Sequence, residues 1–137
     1  MPPAEPGNSP EGSIEAMPIK KILVVDDSPT ERLALVEALA GKGYQIVTAE
    51  SGEEAITKSR SELPDLILMD VVMPGMNGYQ ATRTISRDEA TRAIPIIMCT
   101  SKGLETDRIW GMRQGAYDYL VKPVDAADLL KRIQALS

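Results

Sequence analysis

The chain has 137 residues, the length of one ordinary domain, and its 15 basic and 20 acidic residues give a net charge of −5. A sequence pI of about 4.8 argues against a nucleic-acid partner, because surfaces that bind nucleic acids are usually basic. The chain contains no histidine and one cysteine, which excludes histidine-based catalytic triads, histidine-ligated metals and internal disulfides.

Residues 1–18, MPPAEPGNSPEGSIEAMP, hold half of the ten prolines of the chain and almost no large apolar side chain. A segment of this composition cannot bury enough surface to offset the entropy lost on ordering. We therefore predict a flexible N-terminal arm over residues 1–18 and one domain over residues 19–137. A second methionine, Met17, lies just before the domain, so the arm is either a natural extension or a remnant of cloning.

From residue 19 onward, short apolar runs alternate with amphipathic stretches, a pattern typical of a parallel sheet covered by helices on both faces. The predicted strands are KILVV, YQIVTA, DLILMD, PIIMCT and YDYLV, which start near residues 21, 44, 65, 95 and 117. None of these runs approaches the roughly 18 to 20 residues that cross a bilayer, and the N-terminus does not resemble a leader. We therefore predict a cytoplasmic α/β protein without membrane insertion.

The first helix is predicted to follow Ser28, an N-cap residue with proline after it, and to end at Gly41 and Gly43. The apolar positions that show helical spacing along it are Leu33, Val36, Leu39 and Ala40. The second helix, GEEAITKSRSEL, is stopped by Pro64.

The third helix starts near Gly78 and carries Tyr79, Ala81, Thr82 and Ile85. The fourth, ETDRIWGMRQG, is predicted to be the weakest, because Gly111 inside a helix costs about 1 kcal/mol relative to alanine. The fifth, DAADLLKRIQAL, has an apolar face of Leu129, Leu130, Ile133 and Leu136.

Several polar side chains stand at or just after the carboxyl ends of the predicted strands. In chain order they are Asp26, Asp27, Asp70, Thr100, Ser101 and Lys122. Parallel strands all point the same way, so these groups are expected to gather in one crevice. Asp70 is expected to stay accessible, because the loop after it turns through Pro74, Gly75 and Gly78.

Three converging carboxylates need a positive counter-charge. Two like charges 4 Å apart repel by about 4 kcal/mol at an effective dielectric constant of 20. Mg²⁺ is a suitable partner, because it prefers oxygen ligands and commonly takes one or two carboxylates together with a phosphate oxygen. Asp27 and Asp70 suit direct coordination, and Asp26 suits a role through a coordinated water.

A carboxylate can also attack phosphorus and form an acyl phosphate. Such a transfer requires positioning and charge stabilisation, which a metal, a lysine and a hydroxyl supply without histidine. Simpler explanations exist for each residue taken alone. The adjacent aspartates could cap the next helix, Lys122 could be a solvated surface lysine, and Thr100 could be a strand-end residue satisfied by the backbone.

The motifs VVDD, LMDVVMPGMNGY, PIIMCTS and YLVKP, in this order and separation, resemble the receiver domain of two-component response regulators over residues 19–136. The resemblance implies a flavodoxin-like (βα)5 fold with a five-stranded parallel sheet in the order 2-1-3-4-5. It also implies that a CheA-like histidine kinase is the phosphodonor and that the chain is a phosphoacceptor switch rather than a metabolic enzyme.

The resemblance assigns roles to individual residues. Asp70 would accept the phosphoryl group, and Thr100 and Lys122 would bind its oxygens. The residues implied to ligate Mg²⁺ are Asp26, Asp27, Asp70 and, through its backbone carbonyl, Val72. The peptide bond between Lys122 and Pro123 would be cis.

The resemblance further implies a switch formed by Thr100 and Tyr119, in which the tyrosine swings inward when the threonine moves toward the phosphate. The output face implied on helix four, strand five and helix five carries Ile109, Trp110, Arg113 and Tyr119. Two alternatives stay open. Tyr119 could be a half-buried tyrosine of a sheet edge, and Trp110 could serve packing rather than a partner.

The segments DDSPTE, MDVVMPGMNGYQATR and ETDRIWGMRQGAYDYLVKPVD also resemble the stand-alone receivers of type IV pilus twitching systems, the PilH type. This likeness implies a single-domain regulator of twitching motility, a monomer or weak dimer, with a motor or pilus protein as its target. An apolar Val72 cannot orient an attacking water, which favours a longer-lived phosphorylated state. Lys102 occupies a second position that tunes this lifetime in the family.

Three other functions remain open from the sequence. The chain could be a phosphate sink for a shared kinase, with no downstream target. It could be a flavodoxin-like cofactor binder, although acids follow strand one where a ligand phosphate would lie. It could be an aspartate-nucleophile phosphatase, although Asp26 and Asp27 are adjacent rather than two residues apart.

Overall fold

A computed structural model describes residues 18–136 of the chain, in which five strands alternate with five helices. The strands are β1 (Lys21–Val25), β2 (Gln45–Ala49), β3 (Leu66–Met69), β4 (Ile96–Thr100) and β5 (Asp118–Val121). The helices are α1 (Pro29–Leu39), α2 (Gly52–Glu62), α3 (Gly78–Arg87), α4 (Glu105–Gln114) and α5 (Ala126–Leu136). The predicted arm lies outside the described residues apart from Pro18, so the domain boundary stays a prediction.

The five strands form one parallel sheet in the order β2-β1-β3-β4-β5. This order confirms the predicted α/β class and flavodoxin-like topology. The chain runs from β1 outward to β2 on one side and then through β3, β4 and β5 on the other. A reversal of this kind opens a crevice beside β1 at the carboxyl edge of the sheet.

The sheet separates two apolar cores, because alternate residues of a strand point to opposite faces. The core between the sheet and helices α1 and α5 is centred on Ile22, Val24, Leu68, Cys99, Leu129 and Ile133. The core between the sheet and helices α2 and α3 is centred on Leu23, Val25, Ile67, Met69, Ala81 and Ile85. Helices therefore cover both faces, as predicted. Among residues 18–136, no helix has the length and apolar character needed to cross a bilayer.

The buried face of α1 agrees with the predicted one at Val36 and Leu39 and differs from it at Leu33 and Ala40. Leu33 is 55% exposed, whereas Leu35 and Leu39 are buried against α5 and the sheet. Successive helical residues are rotated by about 100°, so Leu33 and Leu35 lie on nearly opposite sides of the helix and cannot both face the core. Ala40, which we predicted on the apolar face, is the exposed C-cap residue.

Cys99 lies in the middle of β4 beside Leu120 of β5 and is fully buried with a free thiol, as predicted. Burial raises the pKa of this thiol to about 12. The cysteine is therefore a core side chain rather than a reactive group.

Candidate functional site

Three aspartates meet at the carboxyl edge of the sheet. Each of Asp26, Asp27 and Asp70 offers a carboxylate oxygen, and these oxygens all lie within 4.8 Å of one another. Backbone hydrogen bonds hold two of the three residues in line with their strands. The Asp26 N–H donates to the carbonyl of Ala49 at 3.1 Å, and the Asp70 N–H donates to the carbonyl of Val25 at 3.0 Å.

Asp26 is fully buried, and each of its oxygens has a partner. Oδ1 accepts a hydrogen bond from the Ser28 N–H at 3.0 Å, and Oδ2 accepts one from Lys122 Nζ at 2.7 Å. Ser28, and not the aspartate pair, caps α1, since its hydroxyl oxygen accepts the Glu31 N–H at 3.3 Å. The simpler explanation of the aspartates as helix caps is therefore not needed.

Lys122 links three acidic side chains. Besides Asp26, its ammonium contacts Glu31 Oε1 and lies 3.6 Å from Asp70 Oδ2. Burial acts to lower the pKa of Lys122, but the three neighbouring carboxylates outweigh this effect and raise it. Lys122 thus stays charged and is largely shielded from solvent, so it is not the solvated surface lysine that we considered from the sequence.

Glu31 is a member of the site that sequence reasoning missed. It lies in the first turn of α1 and reaches Lys122 from the helix side. Glu31 precedes the buried Leu35 by one helical turn and so shares its face, but Leu35 was not among the apolar positions predicted for α1.

The site carries an excess of negative charge. Four carboxylates gather near Lys122 and near Arg32, whose guanidinium donates to the carbonyl of Asp26 at 2.7 Å. Burial, and next the charge of Asp26, raise the pKa of Asp70 to about 6, which the cation and the Val71 N–H only partly offset. An all-oxygen donor set with surplus negative charge fits a hard divalent cation such as Mg²⁺.

The loop after β3 folds tightly over the backbone of Asp70. The Gly78 N–H donates to the carbonyl of Val71 at 2.9 Å, and a Cβ placed on Gly78 would lie 2.0 Å from the Asp70 carbonyl oxygen. Only glycine allows this approach. The Val72 side chain on the same loop is more than half exposed, and the ligand role of its carbonyl stays a prediction.

Thr100 ends β4 next to the strand that delivers Lys122. Its side chain is fully buried, and its hydroxyl oxygen accepts the Lys102 N–H at 3.3 Å. The Lys122 N–H donates to the carbonyl of Thr100 at 2.8 Å, so the backbone joins the two residues. The Lys122–Pro123 peptide bond is cis.

Three of the four residues of the predicted output face are exposed, and the fourth is buried. Ile109, Trp110 and Arg113 on α4 are exposed to solvent. Tyr119 is only 6% exposed, so in this structure it lies beneath the face and not on it. Trp110, at 48% exposure, is not a packing residue of the core.

A family model and two curated relatives indicate the same protein family for this chain. Residues 22–134 match the family model described as response regulator receiver domain. PilH of Pseudomonas aeruginosa is 53% identical over 116 residues, which are 85% of this chain and 96% of PilH. Response regulator PleD of Caulobacter vibrioides is 39% identical over 117 residues, which are only 26% of that longer protein.

Solved structures agree with this result. Chemotaxis protein CheY4 of Vibrio cholerae is 33% identical with a TM-score of 0.80, over 87% of this chain and 99% of that one. The receiver domain of sensor histidine kinase PA1611 from Pseudomonas aeruginosa has a TM-score of 0.79 at 34% identity, over 85% of this chain and 96% of that one. That crystal structure has a magnesium ion coordinated in its active site cleft.

Proposed function

Because the chain belongs to the response regulator receiver domain family, we propose that it is a phosphoacceptor switch whose Asp70 takes a phosphoryl group from a kinase. One observation carries the assignment to Asp70. This carboxylate lies within reach of both the acidic pair and the ammonium of Lys122.

The chemistry is an in-line transfer. A carboxylate oxygen of Asp70 attacks phosphorus, an O–P bond forms, and the P–N bond to the donor imidazole breaks. The electron pair of the P–N bond stays on the imidazole, whose other ring nitrogen already carries a proton, so it leaves as a neutral base and Asp70 becomes an acyl phosphate. The donor histidine belongs to the kinase, because this chain has none.

Asp26, Asp27 and Asp70 would hold Mg²⁺, with the carbonyl of Val72 as the further predicted ligand. When bound, the ion supplies positive charge against the negative charge of the phosphoryl oxygens. Lys122 adds a second positive charge, with its Nζ 3.6 Å from Asp70 Oδ2, and Thr100 offers a hydroxyl from the neighbouring strand end.

The change in target binding follows from the negative charge that the phosphoryl group adds. Phosphorylation adds negative charge and acceptor oxygens, which Thr100 and Lys122 engage, and the displacement of Thr100 reaches Tyr119 through the loop after β4. The face of α4 that presents Ile109 and Trp110 then changes its affinity for a target. These exposed apolar side chains favour a target-binding regulator over a pure phosphate sink.

We assign the chain to a CheA-like kinase pathway that controls type IV pilus twitching from the cytoplasm. The support is its similarity to PilH over nearly the full length of both chains.

The experiment that tests the proposal is incubation with acetyl phosphate and Mg²⁺, followed by intact mass spectrometry. The expected result is one phosphoryl adduct that forms only with the metal, is absent from Asp70→Asn and persists in the control Asp118→Asn. Asp118 is a useful control because it is paired with Arg132, away from the site. A folded wild-type protein without an adduct, or an adduct that survives in Asp70→Asn, would overturn the assignment.

A further inference from the structure

Two tyrosines from different elements meet behind α4. The hydroxyl oxygens of Tyr79 on α3 and Tyr119 on β5 are 3.4 Å apart. Both residues are largely buried, at 9% and 6% exposure. Together with Val71, Met98 and Ala116 they form a small apolar cluster that is separate from the two main cores.

Each tyrosine hydroxyl of this pair also has a backbone carbonyl as an acceptor. Tyr119 donates its hydroxyl proton to the carbonyl of Lys102 at 2.7 Å. The single hydroxyl proton of Tyr79 has two acceptors within reach, the carbonyl of Asp107 at 3.2 Å and the hydroxyl oxygen of Tyr119 at 3.4 Å. Burial and the neighbouring tyrosine both raise the pKa of Tyr119, which keeps its hydroxyl protonated.

The network reaches the proposed phosphoryl site. Lys102, which accepts from Tyr119, also donates its N–H to the hydroxyl oxygen of Thr100. Asp107 lies in the first turn of α4. Tyr79 therefore joins α3 to the start of α4, and Tyr119 joins the same network to the loop that follows Thr100.

Gly111 makes room for the ring of Tyr119. A Cβ placed on this glycine would lie 2.8 Å from the Met98 sulfur and 3.1 Å from the Tyr119 ring. Any side chain here would push the sulfur or the ring out of place. The glycine that predicted a weak helix thus has a packing reason in α4.

We propose that Tyr79 and Gly111 form a seat that holds Tyr119 in its buried position, which makes Tyr79 a positioning residue of the switch. The inference rests on the proposed function, because the inward position of Tyr119 is the one that the phosphorylated state is expected to favour. The seat then biases the unphosphorylated protein toward the state that binds a phosphoryl group. Loss of the Tyr79 hydroxyl weakens that bias without altering the acidic residues.

The first test is independent of phosphorylation. In protein labelled with 3-fluorotyrosine, the four tyrosines give four ¹⁹F signals, and Tyr119→Phe identifies the one of interest. We expect the Tyr119 signal to be insensitive to exchange of H₂O for D₂O in the wild type and sensitive in Tyr79→Phe. Tyr117→Phe, which removes an exposed tyrosine, serves as the control and should leave it insensitive. An unchanged, insensitive signal in Tyr79→Phe would refute the seat.

The second test measures binding of beryllofluoride, a phosphoryl mimic, by calorimetry in the presence of Mg²⁺. The loss of one hydrogen bond is expected to weaken beryllofluoride binding to Tyr79→Phe by about two- to tenfold. Gly111→Ala is expected to weaken it as well, and Mg²⁺ affinity is expected to stay the same in both variants. Equal beryllofluoride affinity in wild type and Tyr79→Phe would refute the positioning role. Failure of the wild type itself to bind would instead refute the proposed function, while the fluorine experiment would still decide the seat.

Discussion

Asp70→Asn is expected to stabilise the protein in the absence of metal. The folded state raises the pKa of Asp70 from 3.8 to about 6, so at pH 7.5 keeping this carboxylate charged costs folding free energy. Each pKa unit is worth about 1.4 kcal/mol, which gives an upper value of about 3 kcal/mol. Relaxation of the partly solvated site reduces this gain, and we expect roughly 1.5 kcal/mol or more.

The sign of the pH dependence is fixed by the direction of the shift. A carboxyl with a raised pKa binds its proton more tightly in the folded state, so wild-type stability falls as pH rises from about 4 through 6. Asparagine does not titrate. The stability gain of Asp70→Asn is therefore expected to be largest above pH 6 and to shrink toward pH 4.

The assay is urea unfolding in EDTA at pH 7.5 and pH 5, followed by circular dichroism. Asp118→Asn is the matched control. It removes a carboxylate that pairs with Arg132 through two contacts of 2.8 Å, so it is expected to destabilise by up to about 1 kcal/mol. Added Mg²⁺ is expected to stabilise the wild type and not Asp70→Asn. A metal-free Asp70→Asn that is less stable than wild type at pH 7.5 would contradict the reasoning.

Three further substitutions probe other contacts of the site. Glu31→Gln removes an acid that holds Lys122. We expect Mg²⁺ affinity, measured by calorimetry, to fall by a fewfold, and labelling by acetyl phosphate, measured by mass spectrometry, to become faster. Lys122→Ala leaves the buried Asp26 without its cation, so metal-free urea unfolding is expected to show a loss of roughly 3 kcal/mol, and the adduct should form slowly or not at all. Gly78→Ala puts a methyl group against the Asp70 carbonyl and is expected to cost more than about 2 kcal/mol, whereas Gly103→Ala, which meets only a valine side chain, should cost less in the same assay. Equal losses for the two glycines, unchanged stability of Lys122→Ala, or tighter Mg²⁺ binding by Glu31→Gln would each contradict the corresponding contact.

The acidic cluster could be predicted from the sequence for a simple reason. Strand ends in a parallel sheet are placed by topology, and the apolar runs located the strands to within one residue. Asp26, Asp70 and Lys122 follow directly from that placement, because each lies one residue beyond a strand.

Glu31 could not be found in this way, because its direction depends on how α1 is rotated. The apolar positions predicted along that helix include Leu33 and leave out Leu35. Packing against α5 buries Leu35 beside the correctly predicted Leu39, and that rotation of the helix turns Glu31 toward Lys122. The omission of Leu35 therefore concealed one member of the site.

The contact between Tyr79 and Tyr119 could not be predicted from the sequence either. The two residues are 40 positions apart and belong to α3 and β5, so only the tertiary packing of these two elements brings them together. Gly111 lets α4 lie close to Tyr119, but a lone glycine in a helical pattern predicts a loss of stability and does not reveal what fills the space.

The buried Cys99 provides a way to measure how often the folded sheet opens. With its thiol sealed inside β4, a maleimide can modify the native protein only during moments when the centre of the sheet opens. The rate of modification, compared with that of a free thiol, thus measures the free energy of opening without denaturant. The same readout would report how strongly a metal or a phosphoryl mimic at the edge of the sheet suppresses fluctuations at its centre.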